Sequence, residues 1–224
     1  MLQGMPDYST TLDTSPISMP LPRSRKIARW ISAIFSPPLI SVFAVFLMTA
    51  FTSGKPSYGR AIGYTLLAIG LPVLLTLWMM HRGIISDFHI TIHKERTKPM
   101  IFMILSALIS WFYLWFTRTG PDLLTVFAGI AVLHIIFLFL VTLRWKISGH
   151  ASAISGLCVF LVAYLGVRGL PFLLLIPLVV WARVTLRRHT LSQVMAGSLA
   201  GAIFTFLALY IIFLECHRMG FRCV

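Results

Sequence analysis

The sequence predicts an all-α, polytopic membrane helical bundle of six to seven spans, and three observations carry that expectation. Of the 224 residues 58% are hydrophobic and only 11% charged, with a mean hydropathy of +0.89, whereas ordinary soluble domains carry about 25% charged residues. The apolar residues fall into runs close to the roughly 20 that a spanning helix needs. Short polar islands stand between these runs, and ionisable residues within a membrane domain are by default candidates for function. The expected organisation is a disordered N-terminal tail over 1–26, a transmembrane domain over 27–214 and a short C-terminal tail over 215–224.

Residues 1–22 are rich in Ser, Thr, Pro and Met, with neither a basic start nor an apolar core, which is not the pattern of a signal peptide. Arg23, Arg25, Lys26 and Arg29 then lead into a first apolar run, 28–52. Ser36, Pro37 and Pro38 interrupt it, so a kink or a broken helix is expected there. A turn at Gly54, Pro56 and Gly59 precedes the second run, 61–80. The longest polar stretch of the hydrophobic region follows, from His81 to Lys98, and Pro99 opens a third run to about Phe116. Pro121 and Asp122 suit the first turn of the fourth run, 121–143. After Arg144–His150 come a fifth run, 150–166, a turn at 167–171, a sixth run ending near Leu186, and a seventh over 190–214. Gly197 and Gly201 form a small-xxx-small pair that reads as a helix-packing contact.

The net charge of +13 arises from 19 Lys and Arg against six carboxylates. Basic residues flanking spans and touching anionic headgroups would account for much of it. An anionic substrate would account for the rest. The cations are scattered among the runs rather than massed in one domain, so no nucleic-acid partner is expected; membrane lipids are. The shortage of carboxylates leaves no magnesium-type ligand cluster, and neither a metal nor a cofactor is expected. The three cysteines show no metal spacing: Cys158 reads as a small packing residue, and Cys216 and Cys223 lie near the C-terminus.

Counting crossings places the 81–98, 144–150 and 183–189 segments two spans apart from one another, and therefore on one face. That face gathers His81, Arg82, His89, His93, Lys94, Arg96, Lys98, Arg144, Lys146, His150, Arg183, Arg187, Arg188 and His189, with Asp87 and Glu95 as its only carboxylates. Such a cluster repels itself unless an anion fills it. A phosphate suits the guanidinium forks and lysine charges, and two of the islands open helices, whose N-termini favour anions. Paired histidines suit a nucleophile and a general acid near neutral pH. Plainer readings stand beside these. Thr190 and Gln193 have the spacing of a capping box, yet Gln193 also lies one turn after His189 and could orient its ring. Ser148 could be only an N-cap, His81, His89, His93 and His134 packing or headgroup-level residues, and Arg187 a membrane anchor.

At Ser148-Gly149-His150 and at Arg183 followed by five residues and His189, the sequence resembles the type 2 phosphatidic acid phosphatase family of membrane lipid phosphatases, related in fold to vanadium haloperoxidases. That family's pattern is KxxxxxxRP, then SGH, then SRxxxxxHxxxD. SGH matches in full. Ala182 stands for the serine and Gln193 for the aspartate of the third part, while Lys98-Pro99 takes the RP place and Thr91 that of the lysine. The resemblance covers roughly 60–214. It implies a metal-independent phosphatase acting on a lipid phosphate or diphosphate, with His189 as nucleophile, His150 as proton donor to the leaving oxygen, and Gln193 in place of the orienting carboxylate. Arg183, Ser148, Gly149 and Lys98 would hold the phosphate, assisted by Lys94 or Arg96. The departures motivate an alternative, a non-hydrolytic protein that binds or moves anionic lipids. The expected location is a bacterial or archaeal cell membrane. The basic arm Arg23–Arg29 argues for a cytoplasmic site face, against a modest opposing bias from Lys55, Arg60, Arg118, Arg168, Arg218 and Arg222.

Overall fold

A computed structural model describes residues 22–51, 57–85, 97–118 and 122–219, and among them there is no β-strand. The expected tail before residue 22, most of the 81–98 loop with Lys94 and Arg96, and residues 220–224 lie outside the described residues. Among the described residues five helices are long and apolar enough to cross a membrane, or six with a bent pair counted as one span. The expected all-α membrane bundle is what the chain forms.

The bent pair is α1 (Arg23–Ile34) and α2 (Pro37–Ala50), which meet at 42°. Its cause is local: Pro37 and Pro38 lack the N–H groups that would continue the helix, and both fit the first turn of a new one. α3 (Tyr58–Thr65) runs through a π-helical turn, Leu66–Gly70, into α4 (Leu71–His81). Pro72 near the start of α4 withholds a backbone donor, which accounts for the widened turn before it. α5 (Thr97–Thr117) and α6 (Leu123–Thr142) follow, the latter N-capped by Asp122, whose carboxylate accepts from Leu124 N–H at 3.2 Å.

Arg60 closes the end of the bundle opposite the candidate site. Its Nη2 donates to Asp122 Oδ2 at 2.7 Å, to the Leu114 carbonyl at 3.0 Å and to Thr125 Oγ1 at 3.2 Å, while Nε reaches Thr117 Oγ1 at 3.2 Å. One arginine thus joins the start of α3 to the end of α5 and the start of α6. This places the C-terminus of α4 and the N-terminus of α5 at the other end.

α7 (Gly149–Leu165) ends at Gly166, with φ of +57°, and a 3-10 segment, Gly166–Leu174, folds back along it. The Cys158 thiol donates to the Phe172 carbonyl at 3.1 Å, and Gly169 lies so close to the Leu161 carbonyl and Val162 that a side chain there would collide. α8 (Leu175–Thr185) then returns, and α9 (Leu191–Met219) leaves again. Glycines set the closest helix pair. Gly197 lies against the backbone of Ser148, Gly201 against that of Ser152, and Gly156 against Thr205. Each step advances one turn along both helices, so α7 and α9 run parallel and begin at the same end. The core beneath them is Ile40, Ile154, Leu157, Cys158, Leu161 and Val179, with Phe160, Met48 and Leu123 toward the far end.

Candidate functional site

Ser148 caps α7. Its Oγ accepts from Ala151 N–H at 3.4 Å, its own N–H donates to the Gln193 carbonyl at 3.3 Å, and it is fully buried. The first-turn N–H groups of α7 have no acceptor within the helix. Space is open beside Gly149, where nothing lies within 4 Å of the position a Cβ would take. A helix N-terminus with room beside it is suited to an anion. His150 follows in the same turn, 8% exposed, and its Nε2 atom makes no hydrogen bond among the described residues, although the residue is engaged elsewhere.

The chain between α8 and α9 brings the second island to the same place. α8 closes with paired backbone bonds, Arg187 N–H to the Val184 carbonyl at 2.9 Å and Arg188 N–H to the Arg183 carbonyl at 3.1 Å. This is the Schellman pattern, which requires a left-handed residue after the cap, a place usually taken by glycine. Arg187 occupies it with φ of +53°. The sharp reversal leaves Arg183 buried in the last turn of α8 and carries His189 back toward Lys146.

Arg183 is 5% exposed, and its Nη1 donates to Ser32 Oγ on α1 at 2.7 Å; its Nε is buried without a hydrogen-bond partner among the described residues. His189 Nδ1 is likewise buried and unpartnered among them. Its pKa is pushed down to about 4, first by burial and then by the positive charges of Arg183 and Lys146, while the Gln193 side chain and the Lys146 backbone act weakly the other way. The ring is therefore neutral at pH 7, with a lone pair to offer.

Gln193 caps α9 while its side chain also hydrogen-bonds the His189 ring. Its Oε1 accepts from Thr190 N–H at 3.1 Å and its N–H donates to Thr190 Oγ1 at 3.4 Å, a reciprocal capping box that starts α9. The carbonyl that was to orient His189 is thus shared with the helix start. Lys98 is exposed in the first turn of α5, and no hydrogen bond joins it to His150, Arg183 or His189 among the described residues. The structure therefore brings together Ser148, Gly149, His150, Arg183, His189 and Gln193, but not Lys98. Lys94 and Arg96 lie outside the described residues.

Two participants were not singled out from the sequence. Lys146 was one cation among many on its face until the fold set it beside His189. Ser32 gave no local signal at all, since its contact with Arg183 spans 151 residues. Among the described residues no group of three His, Cys, Asp or Glu side chains is placed to hold a metal ion.

In comparison with known proteins, the family model described as the PAP2 superfamily matches residues 99–215, just over half of the chain and the whole of α6 to α8 with most of α5 and α9. No curated protein and no solved structure matches the chain.

Proposed function

The chain belongs to the PAP2 superfamily, which makes it a phosphatase-type membrane enzyme, and from that premise we propose that it hydrolyses a lipid phosphate or diphosphate through a phosphohistidine on His189. The observation that carries this reading is His189 itself: half-buried with its Nδ1 shielded from solvent, neutral at pH 7, and set beside Arg183 and Lys146 at the start of two parallel helices. Cations gathered round a neutral nucleophile suit a phosphoryl group, whose charge offsets theirs.

In the reaction, the free lone pair of the His189 ring attacks phosphorus. The bond from phosphorus to the leaving oxygen breaks, and His150 gives that oxygen its proton. His150, now neutral, takes a proton from water as the water attacks the phosphohistidine, which frees His189 and releases inorganic phosphate. Arg183, Lys146 and the first-turn N–H groups of α7 hold the non-bridging oxygens throughout. Lys98, at the start of α5, would meet the headgroup, with Lys94 or Arg96 assisting. The substrate tail, whether of a phosphatidic acid-like, phosphatidylglycerol phosphate-like or polyprenyl lipid, would lie among the spans. The proposed chemistry, a histidine nucleophile with a histidine acid, uses no metal.

Purified protein presented with a panel of lipid phosphates in EDTA is expected to release phosphate from at least one. His189→Ala and His150→Ala should both abolish release, and activity that persists in His189→Ala would overturn the assignment.

One observation favours a second reading. Gln193 Oε1 is occupied by Thr190 N–H, and an amide cannot offset the charge that develops on His189. A protein that binds or moves anionic lipids without cleaving them would carry such a site. Lipid transport by a chain that cleaves none of the panel, even as Gln193→Asp, would establish it.

A further inference from the structure

The arginine of the candidate site is held by a helix that lies outside the residues matched to the superfamily. α1 ends before residue 35, whereas the match begins at residue 99. Ser32 is 6% exposed, Arg183 5%, and the hydrogen bond between them is short, at 2.7 Å. α1 packs along α8 with Ala28 fully buried, one turn before Ser32. The adjacent residue on α8, Ala182, is also fully buried and has no polar side-chain atom, so α8 does not supply this contact from its own neighbouring position.

An arginine is long, and its rotamer freedom must be removed before its planar fork can meet a phosphate. Ser32 takes one terminal N–H of Arg183, on Nη1, which fixes the plane of the guanidinium. Nε, buried and unpartnered among the described residues, is left with the remaining N–H groups as the edge available to an anion. We propose that Ser32 is a positioning residue, orienting Arg183 for the bound phosphoryl group, so that the site is complete only with α1 in place. This rests on reading Arg183 as a phosphate ligand. It adds a requirement that the matched region does not contain: the bend at Pro37, which sets the direction of α1, also sets where Ser32 meets Arg183.

The test measures binding of orthovanadate, a phosphate mimic, to the purified full-length chain in detergent by isothermal titration. Ser32→Ala is expected to weaken binding about tenfold, the loss expected for a hydrogen bond to a charged group. Ser32→Cys, a weaker acceptor of similar volume, should show a comparable loss without leaving a cavity. Ser32→Thr, which keeps the hydroxyl, should restore affinity to within about twofold of the parent. On an Arg183→Ala background, Ser32→Ala should cost nothing further, whereas a general structural role would cost as much as before. Parent-like binding by Ser32→Ala, an undiminished loss on the Arg183→Ala background, failure of Ser32→Thr to restore affinity, or no orthovanadate binding by the parent would each overturn the proposal. A parent that binds orthovanadate with this dependence on Ser32 and yet cleaves no lipid phosphate would overturn the catalytic reading alone.

Discussion

The backbone N–H of Ser148 donates to the backbone carbonyl of Gln193 at 3.3 Å, so the two polar islands are joined through main chain at the starts of α7 and α9. The approach depends on Gly197, which lies against Ser148, and on Gly201 against Ser152, one turn further in. Histidines that act on one phosphoryl group must keep a fixed separation, and this join supplies it.

A methyl group at position 201 would meet the Ser152 backbone, which cannot rotate aside. Gly201→Ala is expected to destabilise the protein by about 1–3 kcal/mol, the range for overpacking, and to lower phosphate release more than tenfold by parting the helices. Thermal unfolding in detergent together with the release assay checks both. Gly59→Ala, at a position with open space around it, should leave both unchanged.

His189 should titrate far below an ordinary histidine. Its folded-state pKa of about 4 lies beneath the usual value of about 6.5, so the unfolded chain takes up the proton first as pH falls. Stability from this residue is complete above about pH 6.5 and is lost as pH falls through 4, by an amount on the order of 3 kcal/mol. Ring nitrogen shifts in histidine-labelled protein should show His189 still neutral at about pH 5.5. A midpoint between 6 and 7 would contradict the electrostatics described for this site.

Gln193→Asp separates the two roles of that residue. A carboxylate still caps α9, because Asp accepts from backbone N–H groups at helix starts, and its charge should raise the His189 pKa. If ring orientation by Gln193 limits the rate, turnover should rise at least severalfold with little change in melting temperature. Unchanged turnover would mean that the capping bond to Thr190 is its whole contribution.

Arg187 occupies a left-handed conformation at φ of +53°, which costs a non-glycine residue roughly 1 kcal/mol. Arg187→Gly should therefore raise the melting temperature by a few degrees and leave phosphate release within about twofold. A clear loss of activity would instead give the Arg187 side chain a place in the site.

Much of this architecture is written locally. Apolar runs of spanning length, the proline pair at 37 and 38, and the i, i+4 glycines at 197 and 201 each act through neighbours in sequence, and each feature formed as the sequence implied. The shared face of the two histidine islands followed from counting crossings, and the parallel register of α7 and α9 fulfils it. What remained hidden is either long-range or geometric. Ser32 reaches Arg183 across 151 residues, and no periodicity signals such a pair. Gln193 had two readings with the same spacing, and its side chain meets both the Thr190 N–H and the His189 ring. His134, read as a packing histidine, does pack, stacking on Phe204 with its Nε2 2.8 Å from Ser152 Oγ. The continuity of α7 and α8 through a folded-back 3-10 segment was likewise invisible, since a glycine at positive φ looks like any other turn glycine.

The proposed reaction requires His189 to carry the phosphoryl group. Brief mixing with a cleaved lipid phosphate, an alkaline quench to preserve the acid-labile phosphoramidate, and peptide mass spectrometry test it most directly. Phosphate is expected on His189 in the parent, more of it in His150→Ala supplied with a substrate whose leaving group needs no protonation, and none in His189→Ala. Turnover with no phosphoryl group on His189 under any of these conditions, or with the group on another residue, would contradict it.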